Sequence, residues 1–204
     1  MTEKKAKVAV LVSGGGTNLQ AIIDAEKNGT IRSGTVSLVV SNNENAYALT
    51  RAANAGIETA VLLRKLFESS EAFEQALIRT LEEKGIDLIV LAGFMTILSE
   101  RFTTRFRNRI INVHPSLIPS FCGQGFYGLK VHEEALKKGV KVTGATVHFV
   151  NEIPDGGEII FQKAVEVLPG DTPETLQKRV MEQAEWILLP AAVEEISKRI
   201  CTEE

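Results

Sequence analysis

Apolar runs alternate with segments of helical periodicity over the first 115 residues of the chain. Apolar runs at residues 8–12, 36–40 and 88–91, with Ser37 the one polar residue among them, predict buried strands of a parallel sheet. Shorter runs at residues 59–63 and 109–113 predict two more strands. Strands of this kind are covered on both faces, so helices are expected between them.

Between the strands, apolar residues recur every three or four positions. This spacing predicts helices at residues 18–26, 46–55 and 71–84, and Ser70 is the predicted N-cap of the third. The alternation predicts an α/β fold with an open, mostly parallel, doubly wound sheet and helices on both faces.

The pattern changes after Pro115. Residues 116–129 contain one proline and three glycines without periodicity, which predicts a long functional loop, and a short helix is predicted at residues 131–138. Two strand-like segments, 141–150 and 158–168, predict an antiparallel hairpin appended to the sheet towards the C-terminus. The remaining residues, 175–199, predict a helix bent or broken at Pro190.

Composition narrows the class of protein. The 204 residues are 44% apolar and 24% charged, with no Pro/Ser-rich linker, which predicts a single globular domain over residues 1–204. The net charge of −3 offers no attraction to nucleic acid or to an anionic membrane. The longest apolar stretch is shorter than a membrane span, and no signal peptide is evident. Two cysteines cannot form a disulfide framework, so we expect a cytoplasmic protein without membrane or nucleic-acid partners.

A glycine-rich segment, residues 13–18, lies where the first strand passes into the first helix. Free N–H groups and the helix dipole favour an anion at such a position. Leu19 stands where a dinucleotide-binding motif needs glycine, and the lysine of a P-loop is absent. The segment therefore predicts a site for a phosphate monoester, or a tight turn without a ligand.

Asn112 and His114 lie two residues apart at the end of a predicted strand, so their side chains share one side of it. An amide donor beside an imidazole suits attack on an acyl or formyl carbon, although a structural pair would look the same. Asp155, in the turn Asp155-Gly-Gly157, either forms that turn or orients His114 and raises its pKa.

The other candidate residues favour structural roles. No two of the three histidines have metal-ligand spacing, so no metal site is predicted, and His148 within its strand is interpreted as a core residue. Cys122 has no nearby basic partner that would activate its thiol. By periodicity alone, Glu185 is a charge on a helix face.

Four segments together resemble one family. They are Ser-Gly-Gly-Gly-Thr-Asn-Leu-Gln at residues 13–20, Leu-Ala-Gly-Phe-Met at 91–95, Asn-Val-His-Pro-Ser-Leu at 112–117 and Asp-Gly-Gly at 155–157. This order resembles the glycinamide ribonucleotide formyltransferases of purine biosynthesis, within the folate-dependent formyltransferases, over residues 8–190. The resemblance implies formyl transfer from 10-formyltetrahydrofolate, as cosubstrate, to the amine of a phosphoribosyl substrate, with no metal.

The resemblance also implies residue roles. His114 is expected to be the general acid/base, Asn112 the oxyanion donor and Asp155 the carboxylate that tunes His114. The ribotide site, which lies in the N-terminal half apart from Glu185, is expected to use Gly16, Thr17, Asn18 and Glu185. The folate site, towards the C-terminal half, is expected to use Met95, Thr96, Ile97, Leu98, Asn112, Asn151, Glu152, Ile153, Pro154 and Asp155.

Known members carry arginine where this chain has Ser70 and Thr96, so the folate tail is expected to be held differently. The loop at residues 120–129 is longer than in some members. Three alternatives remain at this point. A methionyl-tRNA formyltransferase is disfavoured by the acidic charge and by the lack of the extra C-terminal domain expected of that enzyme. A formyltetrahydrofolate hydrolase is disfavoured by the lack of the expected N-terminal regulatory domain, and the third alternative is a ribotide-binding protein without turnover. We expect a monomer or homodimer that acts on small molecules.

Overall fold

The computed structural model describes residues 4–203. Seven strands and seven α-helices follow one another along the chain, with a short 3₁₀ segment at Arg64–Leu66 and a π-helical segment at Met181–Glu185. In chain order the elements are β1 (Ala6–Val12), α1 (Thr17–Lys27), β2 (Gly34–Ser41), α2 (Tyr47–Asn54), β3 (Glu58–Val61), α3 (Ser70–Glu83), β4 (Leu88–Leu91), α4 (Glu100–Arg105), β5 (Ile110–His114), α5 (Leu129–Lys138), β6 (Val142–Phe149), β7 (Ile159–Glu166), α6 (Pro173–Val180) and α7 (Trp186–Thr202).

The strands form one mixed sheet in the order β3-β2-β1-β4-β5-β6-β7. Strands β1 to β5 are parallel, whereas β6 runs antiparallel to β5, and β7 antiparallel to β6. The predicted mostly parallel α/β sheet with an appended antiparallel hairpin is thus confirmed. The chain leaves β1 towards β2 on one side and later enters β4 on the other. This reversal creates a crevice at the carboxyl ends of β1 and β4, where ligands bind in sheets of this type.

Two apolar layers cover the sheet, one on each face. Successive residues of β1 show this directly: Val8, Val10 and Val12 pack into one layer, and Ala9 and Leu11 into the other. All five are fully buried. Side chains of a strand alternate between faces, so a continuous apolar run is what a strand covered on both faces requires.

Two details of the helices differ from the prediction. Ser69, not Ser70, is the N-cap of α3, because it has extended backbone angles and its hydroxyl accepts the Ala72 N–H at 3.1 Å. The final helical region is interrupted at the π-helical segment, and not at Pro190, which lies inside α7. Proline lacks the N–H that would reach the carbonyl four residues earlier, which here belongs to Trp186, after the π-helical segment.

Helix α4 was not predicted, because its six residues are too few to show a period. The hydroxyl of Ser99 caps it by accepting the Phe102 N–H at 3.3 Å, and the Phe102 side chain is fully buried. Within residues 4–203, none of the helices is both long and apolar enough to cross a membrane.

Candidate functional site

The carboxyl edge of the sheet holds a cavity of about 530 Å³. The segments after β1, β4 and β5, the turn between β6 and β7, and the π-helical segment all contribute to its wall. The predicted loop after β5 forms one side of it, with residues 123–128. The polar residues that line this cavity include Asn18, Asn112, His114, His132, Asp155 and Glu185.

His114 and Asp155 meet at this cavity, although they are far apart in the sequence. His114 Nδ1 lies 3.4 Å from Oδ2 of Asp155, and His114 Nε2 donates a hydrogen bond to the Phe121 carbonyl at 2.9 Å. The same carboxylate oxygen accepts the Gly123 N–H at 2.8 Å. The carboxylate therefore contacts both the imidazole and the loop that follows β5.

The turn that presents Asp155 depends on its neighbours. Asp155 has a φ of +55°, a left-handed conformation that aspartate adopts more readily than most residues. A Cβ at residue 157 would lie 1.7 Å from the Phe149 carbonyl oxygen, so Gly157 is required there. The Asp-Gly-Gly sequence thus fixes the carboxylate over the end of β6.

Opposing effects set the ionisation of this pair. Burial lowers the pKa of His114 below its ordinary value, against the opposite effects of the Asp155 charge and of the hydrogen bond to Phe121. Burial also acts to raise the pKa of Asp155, but close contact with His148, the charge of His114 and the Gly123 N–H leave it below its ordinary value. Asp155 is therefore a carboxylate at neutral pH.

His148 is buried, as predicted for a core residue, but it also contacts Asn112 and Asp155 of this site. It is the direct partner of Asn112 in the antiparallel pairing of β5 and β6, so the two side chains lie on the same face. His148 Nδ1 lies 2.8 Å from the Phe149 carbonyl, which can only accept, so Nδ1 carries the proton. In neutral His148, Nε2 then accepts from the Asn112 amide nitrogen, 3.1 Å away. Nε2 also lies 3.5 Å from Asp155 Oδ1.

Asn18 and Glu185 form a second polar pair in the same cavity. The Asn18 amide nitrogen donates to Oε2 of Glu185 at 2.8 Å. Glu185 is only 6% exposed, so it is not the charge on a helix face that periodicity suggested. Burial raises its pKa to about 7, although the hydrogen bond from Asn18 acts in the opposite direction. The side-chain oxygen of Asn18, Oδ1, is buried and has no hydrogen-bond partner among the described residues.

The glycine-rich segment forms the predicted strand-to-helix turn. Gly16 has a φ of +73°, and a Cβ there would lie 2.6 Å from the Ala48 side chain, so both conformation and space require glycine. Helix α1 begins at Thr17 without a side-chain cap. The N–H groups of its first turn therefore remain available at the carboxyl edge. Thr17 itself lines a smaller neighbouring pocket with Arg51, and not the large cavity.

The predicted folate segments line a smaller pocket of about 140 Å³ beside the large cavity. The two adjoin, because both are bordered by Thr96, Ile97, Asn112, Pro154 and Asp155. Of the other predicted folate residues, Met95 lines only the large cavity. The smaller pocket alone is lined by the predicted residues Leu98, Asn151, Glu152 and Ile153.

Ser70 and Thr96, which stand where known family members carry arginine, form hydrogen bonds of their own. The Thr96 hydroxyl accepts a hydrogen bond from the Asn42 amide at 2.9 Å. The Ser70 hydroxyl accepts from the guanidinium of Arg64 at 3.0 Å, and Arg64 also donates to the Phe67 carbonyl. A guanidinium is thus present beside Ser70, supplied by the 3₁₀ segment.

The remaining candidates stay outside the central contacts. His132 is fully buried, and burial lowers its pKa to about 4, so its ring is neutral. Burial and the charge of Asp155 raise the pKa of the Cys122 thiol, which disfavours the reactive thiolate. Across residues 4–203, no group of three or more histidine, cysteine or acidic side chains is arranged to hold a metal.

Comparison with known proteins gives a consistent result. The formyl transferase family model matches residues 6–193. The phosphoribosylglycinamide formyltransferase of Haemophilus influenzae is 44% identical over 187 residues, which are 92% of this chain and 85% of that protein. The human trifunctional purine biosynthetic protein adenosine-3 is 46% identical over 192 residues, which are 94% of this chain but only 18% of that protein. The chain thus spans a small part of the trifunctional relatives.

The fold agrees with solved structures as well. Glycinamide ribonucleotide transformylase 1 from Symbiobacterium toebii superimposes with a TM-score of 0.89 at 42% identity, over 96% of this chain and 89% of that one. The range matched by the family model, residues 6–193, includes Asn112, His114 and Asp155. The chain therefore belongs to the formyl transferase family.

Proposed function

We propose that the protein is a phosphoribosylglycinamide formyltransferase, which transfers the formyl group of 10-formyltetrahydrofolate to the amine of glycinamide ribonucleotide in purine biosynthesis. The observation that carries this proposal is the meeting of Asn112, His114 and Asp155 at one cavity that also contains Asn18 and Glu185. Relatives and structural neighbours with this name or activity support it. We expect it to act in the cytoplasm as a monomer or homodimer, without nucleic-acid or membrane partners.

The ribotide is expected to lie in the large cavity between the start of α1 and the π-helical segment. Its phosphate suits the free N–H groups after Gly16, where the helix dipole adds attraction. The amine of the ribotide suits the end near the π-helical segment, because Glu185 and the unpaired side-chain oxygen of Asn18 are both hydrogen-bond acceptors. A carboxyl with a pKa of about 7 can also take a proton from an ammonium group near neutral pH.

The folate is expected to occupy the smaller pocket. Ile97 and Leu98 offer apolar contact to the pterin ring, while the turn after Val150 offers backbone polar groups. The Asn151 side chain holds this turn, since its Oδ1 accepts the Ile153 N–H at 3.0 Å. Because the two cavities share Asn112 and Asp155, the formyl group would lie between folate and amine.

The reaction follows from these positions. The neutral amine attacks the formyl carbon, and negative charge develops on the formyl oxygen. The Asn112 amide and protonated His114 can donate to that oxygen, which stabilises the tetrahedral intermediate. His114 then supplies the proton that the folate nitrogen needs to leave, and the proton lost by the amine replaces it. Asp155 stabilises the imidazolium through its charge.

The carboxylate tail of the folate is assigned to Arg64. This guanidinium lies after β3, at the same carboxyl edge as Thr96 and Asn42. Two of its nitrogens donate to Phe67 and Ser70, which orients the planar group while leaving N–H donors free for a carboxylate. Arg64 would thus supply a charge that Ser70 and Thr96 cannot.

An acceptor assay tests the proposed function. The release of tetrahydrofolate from 10-formyltetrahydrofolate is followed with glycinamide ribonucleotide, with charged initiator tRNA, or with neither. Of these three conditions, only the one with glycinamide ribonucleotide is expected to give turnover. Turnover only with the tRNA would indicate a methionyl-tRNA formyltransferase, and turnover without any acceptor would indicate a hydrolase. Binding of the ribotide without turnover would indicate a binding protein. Each of these results would contradict the proposal.

A further inference from the structure

We propose that the backbone carbonyl of Phe121 determines which nitrogen of His114 exchanges the proton during catalysis. Nε2 keeps its proton throughout, and Nδ1 gains and loses one. The inference rests on the proposed function and deepens it. Phe121 is a positioning residue in this scheme, because it acts only through the orientation and tautomer of His114.

The ring of His114 lies between two acceptors at unequal distances. Nε2 is 2.9 Å from the Phe121 carbonyl, an ordinary hydrogen-bond length, whereas Nδ1 is 3.4 Å from Asp155 Oδ2, longer than a charge-assisted bond. A carbonyl oxygen has no proton to give, so Nε2 must donate in both the neutral and the protonated ring. Asp155 Oδ2 is already engaged by the Gly123 N–H. The neutral ring therefore carries its proton on Nε2, with a lone pair on Nδ1.

The backbone around Phe121 holds this carbonyl in place. Phe121 has a φ of +50°, a conformation that a residue with a large side chain adopts only under constraint. On one side, the Ser116 hydroxyl donates to the Ser120 carbonyl at 2.5 Å. On the other side, Gly123 donates to Asp155 at 2.8 Å. The segment is thus fixed at both ends, and the strained residue between them directs its carbonyl at His114.

The titratable groups that influence the His114 ring lie on three different elements. They are Asp155 in the β6–β7 turn, His148 on β6 and His132 on α5. Their charges change the pKa of His114. The two histidines do not determine the tautomer, because among residues 4–203 neither of them forms a hydrogen bond with the His114 ring.

Nuclear magnetic resonance can observe the tautomer directly. The chain contains three histidines, so ¹⁵N-labelled histidine gives few signals, and His132→Gln and His148→Gln variants assign them. At a pH above the titration of His114, long-range ¹H–¹⁵N correlations are expected to show Nε2 protonated and Nδ1 unprotonated. A neutral ring protonated on Nδ1, or an equal mixture of tautomers, would overturn the proposal.

Two substitutions at residue 121 separate the carbonyl from the side chain. Phe121→Gly removes the ring but keeps the backbone carbonyl and can keep the positive φ, so the tautomer of His114 should remain. Phe121→Pro fixes φ near about −65°, which turns the carbonyl away from His114. We expect it to give mixed tautomers, titration of His114 at lower pH, and a kcat lower by on the order of tenfold or more with KM little changed.

Phe121→Val, with a β-branched side chain that disfavours positive φ, replaces the proline variant if that protein does not fold. An unchanged tautomer and unchanged kcat in the folded proline or valine variant would overturn the proposal. The outcome is distinguishable from failure of the proposed function. The tautomer is read in the absence of substrates, whereas the proposed function fails only if the unmodified protein does not formylate the ribotide.

Discussion

The carboxylate of Asp155 lies between two imidazoles: Oδ2 is 3.4 Å from Nδ1 of His114, and Oδ1 is 3.5 Å from Nε2 of His148. The two rings differ in their other contacts. His114 is oriented by a loop carbonyl, and His148 is engaged with the amide of Asn112. One carboxylate thus lies beside both the proposed proton donor and the group that orients the proposed oxyanion donor.

Asp155→Asn is expected to shift the pH dependence of turnover. The Asp155 charge raises the pKa of His114, so its removal lowers that pKa further. Because the protonated ring is the proposed donor, kcat should begin to fall with rising pH at a lower pH than in the unmodified protein. Its value at pH 7 should drop by on the order of 10- to 100-fold. A pH–rate profile with its alkaline limb unmoved would contradict the role of this charge.

His148→Leu is expected to lower kcat by on the order of tenfold while both KM values change little, because the Asn112 amide loses the acceptor that orients it. The measurement is a double-mutant cycle. In an Asn112→Ala background, His148→Leu should have almost no further effect on kcat, since its target is gone. Equal losses in both backgrounds would mean that His148 does not act through Asn112.

Glu185→Gln is expected to stabilise the substrate-free protein at high pH. Burial raises the pKa of Glu185 from its ordinary value of 4.5 to about 7 in the folded protein, so its contribution to stability is present below pH 4.5 and is lost as the pH rises through about 7. Glutamine does not ionise, so the variant should gain relative stability over this range, up to about 3 kcal/mol.

Urea unfolding of both proteins at pH 5 and pH 8 measures this difference, which should be small at pH 5 and largest at pH 8. The variant should also transfer formyl groups more slowly, because the amine loses a carboxylate partner. A stability difference that is the same at both pH values would show that Glu185 does not titrate in this range.

Arg64→Ala is expected to raise the KM for 10-formyltetrahydrofolate, on the order of 3- to 10-fold, with kcat nearly unchanged. The adjacent Lys65→Ala is a matched control, because Lys65 pairs with Glu44 and its side chain is 71% exposed. The effect of Arg64→Ala should grow with the number of glutamates on the folate. Equal effects of the two substitutions would indicate a general change of surface charge rather than a specific contact.

Much of the fold could be predicted because a sheet covered on both faces imposes a simple pattern. Strands β1, β2 and β4 contain the apolar runs 8–12, 36–40 and 88–91, in which Ser37 is the one polar residue. The placement of Asn112 and His114 at the carboxyl edge of the sheet could be predicted as well, because the carboxyl ends of parallel strands lie at one edge. Their chemical specificity, however, came from the resemblance to a family and not from the pattern.

Contacts between distant segments could not be predicted. The role of His148 depends on its pairing with Asn112, a register that no local pattern encodes. The serine cap illustrates the same limit at short range: Ser69 and Ser70 are chemically identical, and only the backbone angles decide between them. The π-helical segment, which ends at Glu185, could not be predicted from the proline, because α7 runs through Pro190 without a break.

The most direct measurement of the central claim is transfer of a labelled formyl group to glycinamide ribonucleotide, detected in the ribotide product by mass spectrometry. We expect the unmodified protein to form labelled product, and folded His114→Ala protein to form it at least ~100-fold more slowly. Near-normal transfer by His114→Ala, or no labelled ribotide from the unmodified protein, would contradict the account.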